Sequence, residues 1–389
     1  MKLLIFEWGA GTYSYRDVVD SFEHNNVEYF TLSYEFTDKN NDDFFIYRFG
    51  KFLDGDSYDA VFSTNYFPLV AKCCHSRNIK YISWSYDNPL DVLDIEDTLG
   101  YPENYVFLFD KIQVEGYRQK GFTNVYHMPL AVNQRRLKSM KLSSQDIKKY
   151  SSDISFVGKL YKSDFDLYLS AMSDDMKQAM VEAVNLQMQL HGKYIIDEIL
   201  TDDVLESVNS YFKVISPDTS FRLSREALSY AMSAEATRKE RIILLKLLSE
   251  RFSLNLYSDE NNELLGKAHY KGTCNYYTEM NKIFMASKIN LNINLKISQS
   301  GIPLRGMDVF GCGGFLMSTY QPEIDEYFGD GRGVVLFDSI EDACAKTEYY
   351  LGHEEERLAI AENGRKTAFE QFTYDIQLRK IFGCSGLIK

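Results

Sequence analysis

A 389-residue chain with 56 acidic against 43 basic side chains has a formal charge of −13, and with no long Lys/Arg run that balance excludes a nucleic-acid backbone as partner. Hydrophobic residues at 45% and only 7 prolines exclude a disordered chain, and no apolar run approaches the roughly 18 residues needed to span a membrane. The length favours two medium domains, or one large domain with an insertion.

The opening run, Met1 to Phe6, is too short for a signal peptide, so a cytoplasmic location is expected. Cys73, Cys74, Cys274, Cys312, Cys344 and Cys384 form no C-x-x-C pair and read as reduced thiols, leaving no zinc framework. Up to residue 133, apolar runs alternate with amphipathic stretches: Lys2 to Glu7, Val27 to Leu32, Asp59 to Thr64, Lys80 to Ser85, Tyr105 to Phe109 and Asn124 to Met128. This β-α-β rhythm predicts a parallel sheet covered on both faces. Residues 134–152 are polar and Lys/Arg-rich, which predicts a linker.

The strand rhythm resumes at Asp153 to Gly158, Phe252 to Tyr257, Ile289 to Leu295, Gly314 to Ser318 and Gly333 to Phe337. Between them, residues 161–251 show helical apolar spacing and predict a helical insertion, with Arg238-Lys239-Glu240-Arg241 as a charged turn. Ser339 and Thr373 are candidate caps for closing helices. The expected organisation is a first α/β domain 1–133, the linker, a second α/β domain 153–371 carrying the insertion at 161–251, and a C-terminal helix 372–389 crossing back to the first domain. Two α/β domains facing across a cleft place ligands at the C-terminal strand ends.

Ile289 to Leu295 alternates strictly between aliphatics and Asn, and the following loop leads through Ser298, Ser300 and Gly301 into Pro303, a first-turn proline. A helix start after a strand end offers free N–H groups and a partial positive charge, an anion site suited to diphosphate. The same residues also serve turn geometry alone. Asp308 is placed to bind a ribose diol or to pair with Arg305 at i,i+3, and Arg305 is itself a candidate phosphate ligand.

Arg305-Gly306-Met307-Asp308-Val309-Phe310-Gly311-Cys312-Gly313-Gly314-Phe315-Leu316-Met317 resembles the signature of CgeB-like (spore-maturation type) glycosyltransferases. The resemblance continues through Tyr320 to Glu323, Tyr349 to Arg357, Ile360 to Gly364 and Thr373-Tyr374. Upstream it takes in Lys271-Gly272 and Ser287 to Asn292, with weaker similarity at Asp153 to Tyr161 and Ile82 to Pro89. It implies a GT-B fold, two Rossmann-like domains with a nucleotide sugar held by the second, and no metal. In related retaining enzymes two acids lie eight positions apart. Counting back from Asp308 reaches Ser300, so the first acid is absent and the stereochemistry stays open.

On this resemblance Gly158, Lys159 and Lys162 face a leaving diphosphate, whose developing charge needs preorganised cations or amide dipoles. Both lysines also fit a solvated loop. Tyr257, Gly272 and Tyr277, or Tyr276, are candidates for the nucleobase contact, though in a chain with 28 Tyr any one of them is as readily packing. On the acceptor side, Gly9, Gly11 and Thr12 form a loop after the first strand, Asp87 is the first candidate catalytic base and Glu7 the second, and His127 lines the same end. Asp87 also fits a turn cap, and His127 a structural hydrogen bond.

The expected activity is transfer from a nucleoside-diphosphate sugar, a UDP-sugar favoured, to a glycan or protein acceptor without metal or other cofactor. The alternatives are a catalytically silent nucleotide-sugar or glycan-binding subunit and a GT-B-fold sugar-nucleotide epimerase. The insertion is a candidate homodimer contact.

Overall fold

The computed structural model describes residues 1–9, 14–90, 95–170, 172–215 and 222–388. They form two compact units, Met1–Lys138 with Ser300–Met307 and Thr367–Lys389, and Ser139–Gln299 with Asp308–Lys366. Among the described residues each unit is built on one six-stranded parallel sheet.

In the first unit the strands are β1 (Lys2–Trp8), β2 (Glu28–Tyr34), β3 (Ala60–Thr64), β4 (Lys80–Ser85), β5 (Asn104–Leu108) and β6 (Val125–His127), in the order β2-β1-β3-β4-β5-β6. Leu3 to Phe6 and the whole of β3 are buried on both faces, because crossover helices cover both sides of the sheet. The core is aromatic: the Phe6 ring meets Phe45, Phe49 and Phe67 at centroid distances of 5.4, 5.9 and 5.1 Å. The doubly wound architecture matches expectation, but β3 next to β1 is the flavodoxin-type order rather than 3-2-1-4-5-6.

The C-terminal helix Tyr374–Cys384 belongs to this unit and is capped by Thr373, whose hydroxyl accepts from Ile376 N. Val132 N donates to Phe372 O at 2.8 Å, and Gln377 Nε2 donates to Pro129 O at 2.9 Å.

Residues 134–152 are not a bare linker. They form helices Gln134–Ser139 and Ser144–Tyr150, the second closed by a capping box between Ser143 and Asp146. A short surface helix leaves most of its side chains in water, so its composition looks like a linker.

In the second unit the strands are β7 (Ser152–Val157), β8 (Leu254–Tyr257), β9 (His269–Tyr270), β10 (Ser287–Asn292), β11 (Leu316–Thr319) and β12 (Val335–Phe337), in the order β12-β11-β10-β7-β8-β9. Counted within the unit this is 3-2-1-4-5-6 read from the other edge, the Rossmann order, with its switch point between β7 and β10. The short edge strand β9 escaped prediction because both its residues are exposed and carry no apolar pattern.

The insertion has a core of its own, with Met180, Val184, Ile196, Val208, Leu228 and Met232. The expected charged turn at 238–241 does not exist: these residues lie inside one helix, Arg225–Arg251. Leu228 and Met232 of that helix bury in the insertion core, whereas Leu244, Leu245 and Leu248 bury against the sheet. Glu240 and Arg241 sit where the buried face changes, and both are buried.

Candidate functional site

At the switch point of the second unit, β7 ends in Gly158-Lys159. The chain there is pinned by Arg241, whose guanidinium donates to Lys159 O and Ile293 O and lies over the Tyr161 ring at 4.6 Å. One cation from the long helix thus ties the ends of β7 and β10 together. Sequence reasoning missed it because the charge-rich tetrapeptide read as solvent-facing. Lys159 and Lys162 are both exposed, and Gly158 N donates to Tyr257 O at 3.0 Å.

The Asn face of β10 is structural where the strand is paired. Asn290 accepts from Ser155 Oγ at 2.8 Å and donates to Phe284 O at 3.1 Å, bonding β10 to its surroundings. A Cβ at Gly314 would lie 2.7 Å from Asn290 Nδ2, which accounts for that glycine. Asn292 Nδ2 donates to Asn294 Oδ1 at 2.8 Å and to Ser318 Oγ at 2.9 Å. Ser298 is buried, and its carbonyl accepts from Gln321 Nε2 at 2.8 Å.

Asp308 is buried and accepts from the Tyr276 hydroxyl at 2.9 Å. The Tyr276 hydroxyl thus holds that carboxylate in place. Tyr277 is half-buried, its ring edge-on to Tyr276 at 4.9 Å. Tyr257 is buried in β8, and that burial pushes its hydroxyl up to about 12. Gly272 takes φ +72 with open space where a Cβ would stand, and its carbonyl accepts from Ser258 N at 3.0 Å. Arg305, on the helix Leu304–Cys312, is partly exposed.

The expectation of an open anion site at Ser300 and Gly301 is corrected. Ser300 is 2% exposed, and its N–H and hydroxyl donate to Asp110 at 2.9 and 2.8 Å, while Gly301 N donates to the same carboxylate at 3.1 Å. Asn88 Nδ2 and Gln113 N add donors at 3.0 and 3.1 Å, the latter as the N-cap bond of helix Lys111–Gln119. The loop does bind an anion through amide dipoles and a hydroxyl, but the anion is the chain's own Asp110. A Cβ on Gly301 would lie 2.5 Å from the Phe109 ring and 2.8 Å from Phe109 O, so Phe109 closes the tip as well.

In the first unit, Glu7 is buried at the end of β1 and accepts from Ser33 Oγ at 3.5 Å. Asp87 is exposed just past β4, held by Asn65, whose Nδ2 donates to Asp87 Oδ2 at 2.6 Å. Asn65 itself sits at φ +72. His127 Nε2 bonds the Phe109 carbonyl at 3.3 Å. Gly9 takes φ +71, while Gly11 and Thr12 lie outside the described residues.

The second unit also contains a buried charge cluster that no motif announced. Glu240 Oε1 meets His191 Nε2 at 2.6 Å and its Oε2 meets Lys296 Nζ at 2.8 Å, with side-chain exposures of 1, 4 and 6% for the three. Burial alone would raise the Glu240 carboxyl, but the His191 hydrogen bond and the Lys296 charge outweigh it and hold it below the ordinary value. Burial lowers the Lys296 ammonium despite Glu240. Among the described residues, no group of three or more His, Cys, Asp or Glu side chains is arranged to hold a metal, and no helix is long and apolar enough to cross a membrane.

Two doubly wound parallel sheets in sequence define the GT-B fold, and solved structures agree over nearly the whole chain. A glycosyltransferase from Rickettsia africae matches with a TM-score of 0.61 at 10% identity, covering 99% of this chain and 98% of its own. Anabaena Alr3699/HepE in complex with UDP matches at 0.58 and 8%, covering all of both chains. Sucrose-phosphate synthase from Thermosynechococcus elongatus matches at 0.58 and 8%, covering 100% and 99%. Residues 221–383 match the model of the glycosyl transferase-like family. No curated protein matches the chain by sequence.

Proposed function

We propose that this chain is a glycosyltransferase of CgeB-like type that moves a sugar, a hexose in this reading, from a nucleoside-diphosphate sugar to a glycan or protein acceptor. The observation that carries the reading is the Rossmann-ordered second sheet, whose switch point falls beside Gly158-Lys159, in a chain matched to the glycosyl transferase-like family over 221–383. The UDP and UDP-glucose complexes of the Anabaena protein favour UDP as the carrier. A cytoplasmic location is part of the same reading.

In this reading the Gly158 turn, Lys159 and Lys162 neutralise the leaving diphosphate, so that the chemistry needs no metal, and Arg305 is a further candidate cation. Asp308, oriented by Tyr276, takes the ribose, and Tyr257, Gly272 and Tyr277 border the base. Asp87, whose carboxylate accepts from Asn65, is the first candidate to take the acceptor's proton in this reading, and Glu7 is the second.

The test is calorimetric binding of UDP-, GDP- and dTDP-sugars to the full chain, with and without EDTA, alongside Lys159→Ala. Lys159 is exposed, so the substitution leaves the fold intact. Binding by one class, weakened about tenfold in the variant, is the expected result; no binding by any class refutes the reading. The hold of Asp110 on Ser300 and Gly301 favours the catalytically silent subunit as second reading. Donor binding with neither transfer nor hydrolysis would select it.

A further inference from the structure

Among the described residues the two sheets end in four edge strands, and three of these are short: β6 and β12 have three residues each and β9 has two. A short edge leaves little backbone for another chain to pair with. The fourth, β2, differs. Its seven residues lie opposite β1 without a bulge, from Glu28 beside Lys2 to Tyr34 beside Trp8, and none of the seven is buried. The strand contains no Pro and no Lys, and its single charge, Glu28, stands at its first position. The usual means of blunting an edge, a short strand, a proline, a lysine or a bulge, are all missing from it.

The two ends of the β1–β2 ladder fix which backbone groups point away from the sheet. Glu28 N donates to Met1 O, and Gly9 N donates to Tyr34 O, both at 3.2 Å. In a parallel ladder a residue turns its N–H and its C=O toward the same neighbour, and the next residue turns both away. Glu28, Phe30, Leu32 and Tyr34 therefore bond to β1, while Tyr29, Thr31 and Ser33 direct three N–H and three C=O groups off the edge. Among the described residues β1 is the one strand paired with β2.

An antiparallel neighbour satisfies such residues in pairs, each pair exchanging two hydrogen bonds. A second β2, related by a two-fold axis through Thr31, sets Thr31 against Thr31 and Tyr29 against Ser33 on either side. All six outward groups of each copy are then used. Moving the axis to residue 30 or 32 leaves Ser33 or Tyr29 without its pair, so one register is best. In it Phe30 faces Leu32 and Glu28 faces Tyr34, so no like charges are opposed along the strand. The margin of the edge is aromatic: Phe30 and Phe52 are 44 and 39% exposed, with the Tyr58 ring 6.3 and 6.1 Å from theirs.

We propose that the β2 edge is a homodimer contact, through which two copies of this chain join their six-stranded first sheets edge to edge, antiparallel about Thr31. One strand pair is small against a standard interface, so a monomer–dimer equilibrium in the micromolar range is expected. The contact belongs to the first unit rather than to the insertion, and it holds whether or not the chain transfers sugars.

The test is sedimentation velocity on the full chain across the micromolar range, with two variants at an exposed residue whose N–H is directed off the edge. Thr31→Lys opposes two like charges at the axis, and Thr31→Pro removes the central donor at an edge position, where proline is tolerated. Thermal unfolding establishes that each variant folds; where Thr31→Pro does not, Thr31→Lys decides alone. The expected result is a reversible dimer in the native chain, weakened about tenfold or more by each folded variant, since two hydrogen bonds are lost by symmetry in the proline case. Thr31→Cys reads the register. The Cα atoms of a hydrogen-bonded antiparallel pair lie about 5.5 Å apart, within disulfide reach, so mild oxidation should give a covalent dimer in a Cys384→Ser background, which removes the chain's own exposed thiol. A monomer at every concentration, an association that a folded variant leaves unchanged, or no covalent dimer from Thr31→Cys overturns the proposal. A dimer held through the insertion would give the second of these results.

Discussion

Glu240→Leu would be a severe perturbation of the second unit. The carboxylate is 1% exposed and engaged on both oxygens, by His191 at 2.6 Å and Lys296 at 2.8 Å. Removing it strands the Lys296 ammonium, 6% exposed, with Leu190 O left to it as an acceptor. Breaking a buried pair in this way costs about 3 to 5 kcal/mol, whereas replacing both partners by apolar groups is often neutral. The predicted outcome is therefore asymmetric: Glu240→Leu and Lys296→Met each destabilise strongly, and the double variant recovers part of the loss. At roughly 2 to 4 °C per kcal/mol for a unit of this size, the first substitution lowers the melting transition by roughly 6 to 20 °C. Scanning calorimetry on the full chain, which separates the transitions of the two units if they unfold independently, is the assay. A loss under about 1 kcal/mol for Glu240→Leu, or a double variant as unstable as the sum of the singles, refutes the claim that these charges depend on each other.

Two further outcomes follow from named contacts. Asp110→Ala removes the N-cap of helix Lys111–Gln119 and the acceptor for Ser300 and Gly301. The cap accounts for about 1 kcal/mol and each stranded buried donor for about 1 to 3, so urea unfolding should show at least about 2 kcal/mol lost, with Asp110→Asn recovering a share. The acid limb of the stability profile should reflect Glu279 and Asp146, each held down to about 2, Glu279 chiefly by the Lys149 hydrogen bond and Asp146 chiefly by the Ser143 backbone N–H. Since both folded values lie below the unfolded ones, their contribution is complete above about pH 4.5 and is lost as pH falls toward 2. Glu279→Gln should flatten that limb in melting scans from about pH 6 to 2.5 and leave the neutral-pH slope unchanged.

The sequence alone determined most of the strands and the doubly wound class. Runs such as Ala60 to Thr64 and Leu254 to Tyr257 are buried on both faces, and their mostly apolar strings suit a covered parallel sheet. Caps at Ser339 and Thr373 were readable because a cap is local, each bonding a backbone N–H three residues on. Only the tertiary structure decided which charges meet. Asp110 finds Ser300 across 190 residues, and His191 finds Glu240 across 49; no local pattern encodes either meeting. The charged run at 238–241 shows the limit most directly, because a helix that changes its buried face half-way along puts Glu240 and Arg241 inside, where charges survive only by pairing, and that environment comes from chain elements distant in sequence.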